Sequence, residues 1–357
     1  MTQDLLVGTR KGLFTLRQGE GGAWSIAGDA FLGVPVTMAL RDPRDGRLYA
    51  ALRHGHFGTK LHRSDDGGKN WIEIACPAFP LQPGAEDKPS VDAIWALEAA
   101  GADLPGAIFA GTMPAGIFRS DDCGATWTLN AAFHDLPERQ KWFGGGNDFP
   151  VMHSISIDPR DSRHLMLAIS CGGVWSTEDA GESWRNRSKG LWAAYMPPER
   201  REDPSIQDVH RLARCRDHPD HLWIQHHNAQ FRSSNGAAQW DTISEIFGFG
   251  VAAHPTDPQT AWFVPAEKDE MRIPHDGDFC VLKTTDGGRS FRRITAGLPP
   301  KPCYDLILRH ALDVDSTGDT LAIGSTTGNL WLSGDAGESW RVVSHHLPPI
   351  YCVRFVG

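Results

Sequence analysis

One eight-residue pattern, Ser/Thr-x-Asp-x-Gly-x-Ser/Thr-Trp, recurs along this chain and restricts it to a repeat architecture. Copies run from Ser64 to Trp71, Ser120 to Trp127, Thr177 to Trp184, Thr284 to Phe291 and Ser333 to Trp340, with a decayed copy from Ser233 to Trp240. Their starts at positions 64, 120, 177, 233, 284 and 333 are 49 to 57 residues apart. Self-similarity at such a period marks a stacked array, and a four-stranded propeller blade has a repeat of about this length. The pattern itself is a turn device. Asp carboxylates and Ser/Thr hydroxyls accept backbone N–H bonds across tight turns, and glycine supplies positive φ. The closing Trp opens the next strand and wedges between neighbouring repeats.

Each copy resembles the Asp-box of the BNR-repeat propellers, the superfamily that includes the sialidases. The resemblance covers essentially the whole chain. It implies an all-β fold: a single seven-bladed β-propeller of four-stranded blades, in one domain spanning residues 1–357. Around each box four short strands can be read, bounded by Gly, Pro or Asp, which places blades 2–7 within residues 36–343. Residues 4–27 supply only three strands, and 350–356 form a strand without a blade. Joining the two makes blade 1, with N- and C-terminal strands paired so that no sheet edge stays open.

Bulk properties narrow the partners. Charged residues are 22 % and apolar residues 40 % of the chain, a globular balance, and the formal net charge is −9. That charge argues against nucleic acid and anionic membrane surfaces. No apolar run approaches the ~20 residues of a membrane span, and the first residues lack the pattern of a secretory signal. Seven cysteines without a Cys-x-x-Cys pair suit reduced thiols and point to the cytoplasm.

Loop length selects a functional face. The boxes and the short Asp-Pro turns share one face. The excursions 77–90, 131–150, 187–207 and 266–278 fall on the other, as loops that build a binding surface do. Aligning the innermost strands puts Tyr351, Thr37, Asp92, His153, His210, Phe249 and Asp305 at one equivalent position near the start of each strand. His153, His210, Asp92, Asp305 and Tyr351 are therefore the candidate catalytic residues. His153, His210 and Asp305 are also candidate ligands for a divalent metal (Zn, Mn or Fe), since imidazole and carboxylate suit these ions. A polar, water-filled channel lining is the bland alternative. Loops of the same face contribute Arg53, His54, His227, Arg200, Glu267 and Lys268 as candidate substrate-binding groups.

Two functions stay open. One is a hydrolase or lyase acting on a small polar molecule or saccharide, metal-assisted or with His and Asp as acid–base groups. The other is a non-catalytic propeller that grips a protein or peptide, with Trp142, Phe143, Phe149 and Trp192 as anchors. Sialidase activity is not expected. That family clamps a carboxylate with three arginines and uses a Tyr–Glu nucleophile and an Asp acid/base. Tyr351, Glu267 and Asp92 could imitate the latter set, but no arginine triad can be assigned. Arg272–Pro274 carries the family's Arg-Ile-Pro letters in a loop of the sixth blade, far from the family's position.

Overall fold

The computed structural model describes residues 3–81 and 89–356, and these are almost entirely β-structure. Five sheets have four strands each. They comprise β4 (Val36–Arg41), β5 (Leu48–Arg53), β6 (Thr59–Ser64) and β7 (Ile72–Ile74); β8 (Ala93–Ala99), β9 (Ile108–Met113), β10 (Ile117–Ser120) and β11 (Thr128–Leu129); β12 (Met152–Asp158), β13 (Asp161–Ile169), β14 (Gly173–Thr177) and β15 (Arg185–Asn186); β16 (Val209–Arg214), β17 (Leu222–His226), β18 (Gln230–Ser233) and β19 (Asp241–Ser244); and β20 (Gly248–Ala253), β21 (Ala261–Pro265), β22 (Val281–Thr284) and β23 (Arg292–Ile294). The remaining strands are β1 (Asp4–Thr9), β2 (Gly12–Gln18), β3 (Trp24–Ala30), β24 (Ile307–Val314), β25 (Leu321–Ser325), β26 (Leu330–Ser333), β27 (Arg341–Ser344) and β28 (Ile350–Val356).

These last eight strands correct the expected ring of seven separate four-stranded blades closed by its terminal strands. They form one eight-stranded sheet in the order β27-β26-β25-β24-β28-β1-β2-β3. β28 pairs antiparallel with β1, Leu5 opposite Phe355 and Val7 opposite Val353. It is also bridged in parallel to β24 where His310 meets Cys352. β24 is irregular between Ile307 and Leu312, and an irregular stretch bends a strand away from its own partner. That bend brings His310 against β28, so the N-terminal strands merge with the last repeat into one sheet.

Burial falls from the inside outwards. All residues of β9, β17, β21 and β25 are buried, whereas β7, β19 and β27 are largely exposed. The second strand of each sheet lies between two neighbouring sheets and therefore reads as a continuous apolar run, as in β21 (Ala261–Pro265, AWFVP). Trp262, Trp331 and Trp340 fill one such seam together with Phe279 and Ile323.

The repeated turns behave as hydrogen-bonded clips. Ser64 Oγ accepts from Gly68 N at 2.8 Å and donates to Asp66 Oδ1 at 2.9 Å, and Asp66 Oδ1 accepts from Asn70 N at 2.9 Å. These bonds hold the carboxyls of Asp66, Asp122 and Asp286 down to about 2. The decayed copy keeps the same clip, with Asn235 Oδ1 accepting from Gln239 N at 3.1 Å and Ala237 taking the glycine position at φ 63°. No helix among the described residues is long and apolar enough to cross a membrane.

Candidate functional site

Every innermost strand carries a register irregularity near its start. β4 skips Thr37, β8 skips Trp95, β12 skips His153, β16 skips His210, and β28 skips Tyr351. In β20 the irregularity spans Phe249 and Gly250, and in β24 it covers residues 308 to 311. A bulge leaves one residue unpaired and re-aims its side chain. Because these strands neighbour one another in the order β28, β4, β8, β12, β16, β20 and β24, the re-aimed side chains converge. Thr37, Trp95, Arg309, His310 and Tyr351 line one cavity of about 290 Å³, together with Arg53 from the end of β5 and Asn147 from a loop. The Arg309 guanidinium lies 5.4 Å from the Trp95 ring centre and 5.3 Å from that of Phe249.

This geometry replaces two of the expected members. Trp95, not Asp92, is the bulged residue of β8, and Asp92 accepts from Ser90 Oγ at 3.1 Å ahead of that strand. Arg309 and His310 stand where Asp305 was expected. Asp305 is instead committed to the β25–β26 turn, accepting from Thr327 Oγ1, from Asn329 Nδ2 at 2.8 Å and from Cys303 Sγ at 3.2 Å. Burial alone would raise its carboxyl, but the hydrogen bonds from that turn hold it low. A strand offset of a few residues, set by hydrogen bonding to the partner, separates the two readings.

His153 and His210 keep their expected places, 0 % and 2 % exposed. His153 Nδ1 contacts Ser154 Oγ at 3.0 Å and its Nε2 has no partner. His210 belongs to a tighter group. Its Nδ1 lies 2.6 Å from the Gly248 carbonyl oxygen, and its ring stacks on Phe249 at 4.9 Å with an 11° interplanar angle. Its Nε2 faces Asp208 Oδ2 at 3.5 Å, and His227 Nδ1 approaches the same oxygen at 3.3 Å. Asp208, His210 and His227 offer ligand atoms within 4.8 Å of one another, and they are the His/Cys/Asp/Glu group so placed among the described residues. His153 and Asp305 stand outside it, so the expected metal trio is not assembled.

Electrostatics sharpen this centre. Burial would raise Asp208, yet the facing imidazoles of His210 and His227 hold it well below the usual carboxylate range. Burial lowers His210 despite Asp208 beside it. Arg309 is lowered by burial as well, with Asp208 opposing, and its Nε has no partner. Cys171 and Tyr195 are both pushed upward, first by burial and then by the Asp208 charge. Gly145, at φ 56°, folds over the site: a Cβ there would lie 3.1 Å from Cys171 Sγ and 3.6 Å from Asp208 Oδ2. The Tyr195 ring flanks His227 at 5.2 Å, and its hydroxyl donates to the Ile206 carbonyl at 2.9 Å.

The remaining expected residues, Tyr351 among the catalytic candidates and the six binding candidates, divide. Arg53 and Tyr351 line the cavity, and His227 joins the centre. His54 packs edge-on to Phe57, with ring centres 5.1 Å apart. Arg200 is exposed and 3.7 Å from Asp203. Glu267 Oε2 pairs with His275 Nδ1 at 3.1 Å and accepts from Asp276 N, and Lys268 is exposed on a bridge to Met271. Trp142 is no anchor: it is 8 % exposed and packs among Phe133 and Trp175. Loop 77–90 lies partly outside the described residues. A larger cavity of about 410 Å³ opens among the turns of the opposite face; of its lining charges Arg214 pairs with Asp158 at 3.1 Å, whereas Arg211 Nε has no hydrogen-bond partner.

No protein-family model matches the chain, and no curated protein matches it in sequence. Solved propeller structures do match its fold. It aligns over 90 % of its length with an ancestral GH74 enzyme (15 % identity, TM-score 0.56), spanning 38 % of that protein. It aligns over its whole length with a putative 6-phosphogluconolactonase from Bacteroides fragilis (13 % identity, TM-score 0.60), spanning 98 % of that chain. YCF48 bound to D1 peptide aligns over 87 % of this chain and 82 % of its own (13 % identity, TM-score 0.53). These likenesses establish a β-propeller fold.

Proposed function

We propose that this propeller is a hydrolase or lyase acting on a small, polar, anionic substrate in the cleft of about 290 Å³ and the centre beside it. The observation that carries this reading is a buried carboxylate, Asp208, facing two imidazoles next to a guanidinium whose Nε has no partner. Arg309, with Arg53 at the cavity wall, holds the anionic group of the substrate. His227, whose side chain is 29 % exposed, is the group of this centre nearest to substrate or water, and Asp208 holds it in place. His210, fixed by Gly248 and Phe249, backs the carboxylate from the buried side. Saccharide and phosphorylated-sugar substrates fit a lining that sets Arg53, Asn147, Arg309 and His310 among apolar side chains such as Trp95 and Leu308, and the GH74 and putative lactonase neighbours lend the choice support by analogy of fold alone.

The peptide-gripping reading is weaker on this chain. With Trp142 buried and Trp192 half-covered against Phe231 and Arg201, Phe143 and Phe149 remain of its anchors. The test is a panel of chromogenic glycosides, phosphate and carboxylate esters and sugar lactones. Turnover should be lost in His227→Ala, and KM should rise at least about tenfold in Arg309→Met, the equivalent of ~1.4 kcal/mol of binding. Turnover unchanged in both variants would overturn the assignment.

A further inference from the structure

We propose that Asp208, His210 and His227 form a divalent transition-metal site with an open coordination position on the exposed side of His227. The inference goes beyond the reaction class, because the site would bind its ion whatever the substrate is.

Spacing is the first support. Ligands of a tetrahedral ion held at about 2.0–2.1 Å lie about 3.4 Å apart. Asp208 Oδ2 stands 3.5 Å from His210 Nε2 and 3.3 Å from His227 Nδ1. These two gaps bracket that value, and the third, between the imidazoles, closes within 4.8 Å.

The second support is a proton count. A carbonyl oxygen only accepts, so the 2.6 Å contact with Gly248 requires the hydrogen on His210 Nδ1. A neutral ring then presents its Nε2 lone pair to the Asp208 oxygen. Two lone pairs face each other across 3.5 Å, which is repulsive unless a positive charge lies between them. A metal ion supplies it, and a backbone carbonyl on the far nitrogen is the usual way a ligating histidine is oriented. A second proton on His210 is the competing occupant.

Third, Asp208 Oδ1 has no hydrogen-bond partner although the side chain is 8 % exposed. A buried carboxylate oxygen left without a donor is costly and points to an unfilled coordination role. Phe249 under His210 and Tyr195 and Phe247 against His227 fix the planes of both rings. The His227 side chain stays 29 % exposed, and on that side water or a substrate oxygen would complete the shell. Two imidazoles and one carboxylate suit Zn²⁺, Mn²⁺ or Fe²⁺.

The test uses the full chain, stripped with chelator and titrated with Zn²⁺ by calorimetry and with Co²⁺ by absorption. One equivalent should bind, with the intense visible bands of tetrahedral cobalt. His227→Ala and Asp208→Asn should each weaken binding more than about tenfold, and His346→Ala, on the exposed β27–β28 connection, should leave it unchanged. His227 is partly exposed, so its variant is expected to fold, which circular dichroism would check. Failure to bind one equivalent, or binding equally strong in both ligand variants, would overturn the site and leave a protonated His210 as the occupant. Metal binding without turnover would instead leave the site standing and remove the proposed reaction.

Discussion

Glu98 on β8 and Arg354 on β28 join two inner strands 256 residues apart through paired 2.8 Å bonds, Nη1 to Oε1 and Nη2 to Oε2. Burial disfavours the Arg354 charge, and Glu98 nonetheless keeps the guanidinium above its ordinary value. Replacing Glu98 by Ala removes the bidentate partner of Arg354, leaving Asp313 as its neighbouring carboxyl and Arg211, whose own charge it already disfavours, beside it. Stripping one partner from a buried pair costs about 3–5 kcal/mol. The two side chains retain 18 % and 23 % exposure, so water screens part of this and the expected loss is about 2–3 kcal/mol. At ~2.1 cal/mol/K per residue, 357 residues give an unfolding entropy of roughly 0.75 kcal/mol/K, hence a Tm lowered by about 3–4 °C. Urea and thermal unfolding of Glu98→Ala measure it directly. The double replacement of Glu98 and Arg354 by Met, which removes both charges and keeps their volume, should recover to within about 1 kcal/mol of the parent. A single-variant loss below about 0.5 kcal/mol, the range of ordinary surface changes, would refute the role given to this pair.

Acid stability offers a second test. His310 and His153 are held well below the ordinary imidazole value of 6.5, first by burial and then by Arg211 and Arg309 respectively. Their stabilisation is therefore fully present above pH 6.5 and is lost as pH falls towards the folded values, since only the unfolded chain takes up the protons. His310→Gln keeps a donor for the His153 carbonyl, 2.6 Å away, and should lose about 2 kcal/mol less than the parent between pH 7 and pH 5; an identical acid limb would contradict this. Thiol reactivity is a third. Five of the seven cysteines are buried and two are half-buried, and burial pushes Cys76, Cys303 and Cys352 up to about 11. At pH 8 no more than two thiols of the native protein should react rapidly with a disulfide reagent, against all seven after unfolding; three fast thiols would show the burial to be wrong.

The repeat was legible because each turn needs the same Ser/Thr, Asp and positive-φ residues wherever it occurs, and even the Asn235 copy keeps its bonds. What escaped the sequence is register. Counting along β8 and β24 from their starts selects Asp92 and Asp305, whereas the bulges that decide which side chain turns inwards select Trp95 and Arg309. Those bulges depend on pairing with β9 and β25 and leave no local signature. Asp208 was missed although Asp208 and His210 are two residues apart, the spacing that puts neighbours on one side of an extended chain. Merging of β24 with β28 rests on the single His310–Cys352 bridge, which no strand pattern announces. Trp142 read as an exposed loop anchor because its burial depends on Phe133 and Trp175, which come from other segments.

Diffraction from crystals soaked in Zn²⁺, recorded at the zinc absorption edge, bears most directly on convergence of the bulged side chains at one reactive centre. An anomalous peak is predicted about 2.0–2.2 Å from Asp208 Oδ2, His210 Nε2 and His227 Nδ1, beneath Gly145 and beside Arg309. No peak there, with His210 and His227 turned away from Asp208, would contradict the account.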